Sequence, residues 1–274
     1  MVALRTRMRA HLWKWREDLP PGSGWSAFFA DCPRPALHDI PADVTIENGA
    51  SVWPGRLGAQ HHHAPEGSHI CRPFEGLEPE DVRVVVLGKD PYPAIERATG
   101  RAFEDGIPDA DGRAIRPALR NLGKSARTLA GGGEEGRICP PRPGRAAAIR
   151  AHFDNLRDRG VLFVNVSWTF TRTDEAHKAA HRILWQPVTS YLLREVAGLP
   201  GPQVIFLLLG NDAKAVFDQL ALNGVREIRH VHPTSWGGRY FQGENPLRRV
   251  NDALQEFGHE PIDWWTAGDD GVQA

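Results

Sequence analysis

The chain has 274 residues with 33 basic and 34 acidic side chains, a formal net charge of −1. Hydrophobic residues at 41% and charged residues at 24% are ordinary for a soluble globular protein with a sizeable core, and no apolar run reaches the ~18 residues that a membrane-spanning helix needs. Three cysteines, Cys32, Cys71 and Cys139, are far apart and odd in number, which argues against a disulfide framework or a four-cysteine iron–sulfur site and suits a reducing, cytoplasmic interior.

The first residues, MVALRTRMRAHLWKWRED, lack the apolar core of a secretory leader and read as an amphipathic helix, with a transit peptide as the alternative. The N-terminal third is rich in Pro and Gly and reads as loops around short helices, one of them in GSGWSAFFAD with Ser26 near its start. The histidines of QHHHAPEGSH (His61, His62, His63 and His69) sit in a Gly/Pro loop without a carboxylate or cysteine at ligand spacing, so metal binding is not expected.

Four strands follow, at 82–87, 161–166, 204–209 and 227–231. Three are apolar without alternation, the pattern of a parallel sheet covered on both faces. Helical patterns lie at 114–129, 145–159, 182–197, 212–222 and 245–257. This alternation predicts a single α/β domain with a core over about 24–265. The stretch GGGEEGRICPPRPG (131–144) reads as a flexible internal connection, and the tail from residue 266 as frayed. Charge is uneven despite its balance. Five basic residues and no acid lie between Arg113 and Arg127, four and none between Arg137 and Arg150, and five against two between Arg226 and Arg249. Such patches suit a phosphate-bearing ligand or an ordinary solvated face.

Polar residues punctuate the strand ends. The first strand runs into GKDPYP, the second carries Asn165, the third ends in GNDAK and the fourth in HVHPTSWGGRYF. Ligands of open parallel sheets bind at the carboxyl ends of the strands, so Asp90, Asn165, Asn211 and His232 are expected in one crevice. A nucleophile elbow, a dinucleotide fingerprint and a phosphate-binding P-loop are all missing from the sequence.

These residues resemble the motifs of family 1 uracil-DNA glycosylases. The family's GQDPYH stands here as GKDPYP (88–93), and its HPSPLS as HPTSWG (232–237). CRPFEGLEPEDVRVVVLG, GRAFEDG, GVLFVNVSWTF, AHKAAHRILWQPV, VIFLLLGNDAK and NDALQEFGHEPIDW extend the likeness over roughly 24–265. The resemblance implies a three-layer α/β/α domain with a central four-stranded parallel sheet. It implies hydrolysis of the N-glycosidic bond of deoxyuridine in single- or double-stranded DNA by base flipping, without metal or cofactor, by a monomer that binds no membrane.

It also assigns roles. Asp90 is the carboxylate that positions water and stabilises the sugar cation, and His232, working neutral, stabilises the departing uracil anion. Tyr92 excludes the 5-methyl of thymine, Phe103 stacks on uracil and Asn165 reads its edge; Lys89, a substrate-binding candidate where the family has Gln, adds a charge beside Asp90 that would hold it ionised or reach a flanking phosphate. Pro117, Asn211, Ser235, Trp236 and Arg239 face the DNA.

Departures from the family pattern are Lys89 for Gln, Pro93 for His, a phosphate loop reduced to AIRPALRN, Asn211 for Ser, and Trp236 for the wedge Leu, before a GGRYF segment about one residue short. The last implies resistance to the phage inhibitor protein that encloses that Leu. The departures keep open a changed base preference or a non-catalytic DNA-binding protein of the same fold.

Overall fold

The computed structural model describes residues 1–106, 115–131, 145–200 and 203–265. Arg113, most of the expected connection at 131–144 with Cys139, and the tail from 266 lie outside them.

A central sheet holds four parallel strands, β3 (Val84–Gly88), β4 (Val161–Asn165), β5 (Ile205–Leu209) and β6 (Arg226–His230), in the order β4-β3-β5-β6. A small antiparallel pair, β1 (Val2–Ala3) and β2 (Thr45–Ile46), joins the N-terminus to the following loop. The helices are α1 (Leu4–His11), α2 (Trp25–Phe28), α3 (Pro117–Leu129), α4 (Arg145–Asp158), α5 (Glu175–Ala197), α6 (Asn211–Leu220) and α7 (Pro246–Glu256).

Strand residues alternate between two cores, as the two-residue period of a pleated strand requires. Val85, Leu87, Leu162, Val164, Phe206 and Leu208 pack with Leu184, Val188 and Leu192 of α5 and Val216 and Phe217 of α6. Val84, Val86, Val161, Phe163, Ile205 and Leu207 pack on the other face with Leu119 of α3, Phe153 of α4 and Val250 and Leu254 of α7. The three layers follow from this division.

The expected strands are all present, displaced by no more than two residues at either end. The helix expected at 182–197 begins seven residues earlier, at Glu175. Its start is set by Asp174, whose Oδ1 accepts the His177 backbone N–H at 3.1 Å, and Pro187 is carried inside it. α3 begins at Pro117, which suits the first helical turn because it lacks an N–H.

The core also reaches further back than residue 24. Leu4, Met8, Leu12, Trp15 and Leu19 belong to the α5/α6 side. The Trp15 ring meets Phe29, Trp168 and Trp185 edge-on at 5.5–5.9 Å.

Candidate active site

The parallel register sets Gly88, the last residue of β3, opposite Asn165, the last of β4. A β-carbon on Gly88 would lie 2.5 Å from Asn165 Oδ1 and 3.3 Å from Phe103 Cε2, so only glycine lets the amide lie across the strand end. Beyond this point a cleft of about 260 Å³ is lined by Lys89, Asp90, Tyr92, Phe103, Asn165 and His232, together with Pro117 and Ala118 from α3. It lies where an open parallel sheet binds its ligands.

Asp90 is half-buried. Burial pushes its carboxyl up to about 6, against the pull of Lys89, Lys178 and Arg182 and with the help of Asp212. Pro91 keeps residue 90 out of the helical region, so the carboxylate is held by a stiff backbone. Asn165 is 4% exposed. Its side-chain amide makes no hydrogen bond to another described residue and lines the cleft, where it is free to pair with a ligand.

His232 follows β6. The Thr234 backbone N–H donates to its Nδ1 at 3.2 Å, and Thr234 Oγ1 lies 2.8 Å from the same nitrogen. A ring nitrogen that accepts a backbone N–H carries no proton of its own, so the proton of the neutral ring sits on Nε2. Burial lowers the pKa of this imidazole, the Lys89 ammonium lowers it further, and Asp212 opposes them.

Phe103 has a φ of 67°. That conformation is rare for a bulky residue, costs about 1–3 kcal/mol and persists only where the surroundings enforce it. Here the enforcement is ionic. Arg97 pairs with the fully buried Asp105 at 2.6 Å, Arg101 with Asp154 at 2.8 Å, and Arg72 with Glu104 at 3.4 Å. Tyr92 Oη donates to the Phe103 carbonyl at 3.1 Å, and Trp53 Nε1 donates to the Tyr92 carbonyl at 2.9 Å. The two rings of the cleft are thereby fixed to one another.

Asn211 does not line the cleft. It begins α6 beside His232, where a β-carbon on Gly210 would lie 3.1 Å from His232 Cβ. Ser235, Trp236 and Arg239 also lie outside the cleft, on the loop after His232. Trp236 is 87% exposed, and Gly237 and Gly238 take φ of 68° and 69° beside it. Asn121 Nδ2 ties this loop to α3 through the Pro233 carbonyl at 2.7 Å.

Thr234, Trp53, Arg101 and Asp105 are the residues of the site that sequence reasoning missed. His61 stacks on His62, against which His63 lies tilted, and among the described residues no group of three or more His, Cys, Asp or Glu is arranged to hold a metal. No described helix is long and apolar enough to cross a membrane.

The family model of the uracil DNA glycosylase superfamily matches residues 75–257. The chain belongs to this superfamily. It is 32% identical over 203 residues to the uracil-DNA glycosylase of Exiguobacterium sibiricum, covering 73% of this chain and 83% of that one. The uracil-DNA glycosylase of Mycolicibacterium gilvum is 28% identical over 242 residues, 88% and 93% of the two chains. Among solved structures, mimivirus UNG Y322L in complex with UGI matches 96% of this chain and 94% of its own, with a TM-score of 0.63 at 16% identity. That likeness shows a shared fold.

The hydrogen bonding of His232 gives a direct prediction. In ¹⁵N NMR its Nδ1 should behave as an unprotonated acceptor and Nε2 as protonated at neutral pH, with titration below 6.5. An Nδ1–H tautomer, or titration above that value, would contradict the arrangement.

Proposed function

We infer that the protein excises uracil from DNA, hydrolysing the N-glycosidic bond of deoxyuridine and leaving an abasic site. The observation that carries this reading is the unpaired Asn165 amide, buried at the wall of a cleft that also holds Asp90 and His232. Family membership supports it.

A base within a duplex is out of reach, so the nucleotide is flipped into the cleft. Phe103 stacks on the uracil ring, and the fixed Tyr92 ring leaves no room for a 5-methyl group. The Asn165 amide donates to O4 and accepts from N3–H, a pattern that cytosine does not offer. Asp90, ionised above about 6, orients a water towards C1′ and stabilises the positive charge that develops on the sugar. His232 donates its Nε2–H to O2 as negative charge gathers on the leaving uracil. The ring acts as a neutral donor, because burial and the Lys89 ammonium disfavour its charged form. The reaction calls for one carboxylate, one imidazole and water, and no cofactor enters it.

Pro117 of the cleft wall, Asn211 at the start of α6, and Ser235 and Arg239 after His232 face the DNA backbone, aided by the exposed Arg116, which precedes α3, and Arg120 within it. Trp236 enters the gap left by the flipped nucleotide and stacks on its neighbours. The two buried free thiols, Cys32 and Cys71, suit the reducing cytoplasm.

Release of free uracil from a synthetic oligonucleotide tests the reading. The wild type should release it, and Asp90→Asn should lose about 10²–10⁴-fold in turnover while still binding uracil-DNA. Full activity of Asp90→Asn would overturn the role of the carboxylate, and an inactive wild type would leave a DNA-binding protein.

Trp236→Ala should cost on the order of tenfold more on duplex than on single-stranded substrate, since stacking on the gap is needed only in the duplex. The wild type should resist the phage inhibitor, whose cavity is shaped to Leu. Equal losses on both substrates would remove the wedge role, and tight inhibition would remove the cavity argument.

A further inference from the structure

Behind Asp90 lies a charged cluster to which the mechanism above gives no part. Lys89 Nζ is 3.2 Å from Asp212 Oδ2. The other oxygen of Asp212 accepts from Arg182 Nη1 at 2.7 Å. Lys178 of α5 joins Lys89, Asp90, Arg182 and Asp212 around a small hollow, and Glu175 holds its ammonium at 2.9 Å. Lys89 belongs to two walls, that of this hollow and that of the base cleft. Its sequence neighbour is Asp90, yet its ion partner is Asp212. His232 stands against the start of α6, the helix that carries Asp212, across Gly210.

We propose that Asp212 is a positioning residue that, with Arg182 as its second anchor, holds the Lys89 ammonium on the wall shared by Asp90 and His232 and paired with neither. The proposal rests on the roles given above to those two residues. The reaction separates charge, positive on the sugar and negative on uracil. A cation in direct contact with Asp90 would neutralise the carboxylate that must face the sugar. Held by Asp212, the same cation still favours the ionised carboxylate through space, still disfavours a charged His232 and still attracts the leaving anion. The arrangement supplies a charge beside the strand end where the family's motif histidine is replaced by Pro93.

The charged groups facing Asp90 are Lys89 on its own segment, Lys178 and Arg182 on α5, and Asp212 on α6. Glu175 acts on this set through Lys178, and His232 faces the cleft from the loop after β6. The three cations favour ionisation of Asp90, whereas burial and Asp212 oppose it. Removing Lys89 therefore raises the pH at which Asp90 ionises. Removing the charge of Asp212 lowers it twice over, by taking away an anion and by freeing Lys89 to pair with Asp90. These opposite signs separate positioning from a general loss of structure.

The test is the pH dependence of kcat and KM for uracil release from a single-stranded oligonucleotide, beside ¹³C NMR titration of the Asp90 carboxyl in the free protein. Lys89→Gln should raise the acid limb by about one pH unit. Asp212→Asn should lower it, with a severalfold fall in plateau kcat and little change in KM, and Asp212→Glu should restore the wild-type limb. The Asp90 titration should move in the same directions without substrate. Unmoved limbs and titrations in both variants would overturn the proposal. So would a rise in KM with a weaker salt dependence alone, which would make Lys89 a phosphate contact. An inactive wild type would overturn the reading of function, while the carboxyl titrations would still decide the fate of the pair.

Discussion

The site depends on one close approach, that of the Asn165 side chain to the backbone of Gly88. Two parallel strands end in register, and the amide of one lies where the other would carry a β-carbon. The approach brings the amide to the point where β3 leaves the sheet, two residues before Asp90. It also fixes how near the loop that follows can come, because Ala102 Cβ and Phe103 Cε2 would lie 3.0 and 3.3 Å from a β-carbon at Gly88. The Asn165 amide is therefore set by the sheet, and the Phe103 ring and the Asp90 carboxylate are placed near the same strand end by the segments that follow.

The second constraint is electrostatic. The segment between Gly100 and Gly106 is held by ion pairs, of which Arg97–Asp105 and Arg101–Glu104 are almost fully buried and Arg101–Asp154 is partly exposed at Asp154. Buried pairs are weak devices for stability, because desolvation offsets their attraction, but breaking one partner is costly. Here they impose a backbone that Phe103 would not adopt alone. The other charged cluster, around Asp90 and Asp212, is only half-buried and acts on protonation states. The two groups of charges thus serve different ends, one fixing shape and the other fixing charge.

Much of this was legible in the chain. The apolar strands could be read because both faces of the sheet are covered, and Asp90, Asn165 and His232 because each interrupts or ends such a strand with a polar group. Individual side-chain contacts could not be read. The Thr234 N–H that selects the His232 tautomer, the Trp53 indole that holds Tyr92, and the Asp212 carboxylate that takes Lys89 all depend on side-chain directions set by packing. The N-terminal part of the core is a different case. Leu4, Met8, Leu12 and Trp15 recur at helical spacing, and the first residues read as an amphipathic helix, but the Pro- and Gly-rich sequence that follows hides the packing of this face into the main core. The start of α5 was missed for a similar reason, because its capping residue Asp174 lies outside the apolar pattern.

The account stands or falls on what the Asn165 amide recognises. Asn165→Asp places an acceptor where the wild type offers a donor, facing the exocyclic position of the base. Release of free bases from oligonucleotides carrying a single uracil or a single cytosine measures the consequence directly. The account predicts that the variant loses uracil excision and gains measurable release of cytosine. Unchanged preference for uracil would show that the amide does not read the base, and the assignment of the cleft would fall with it.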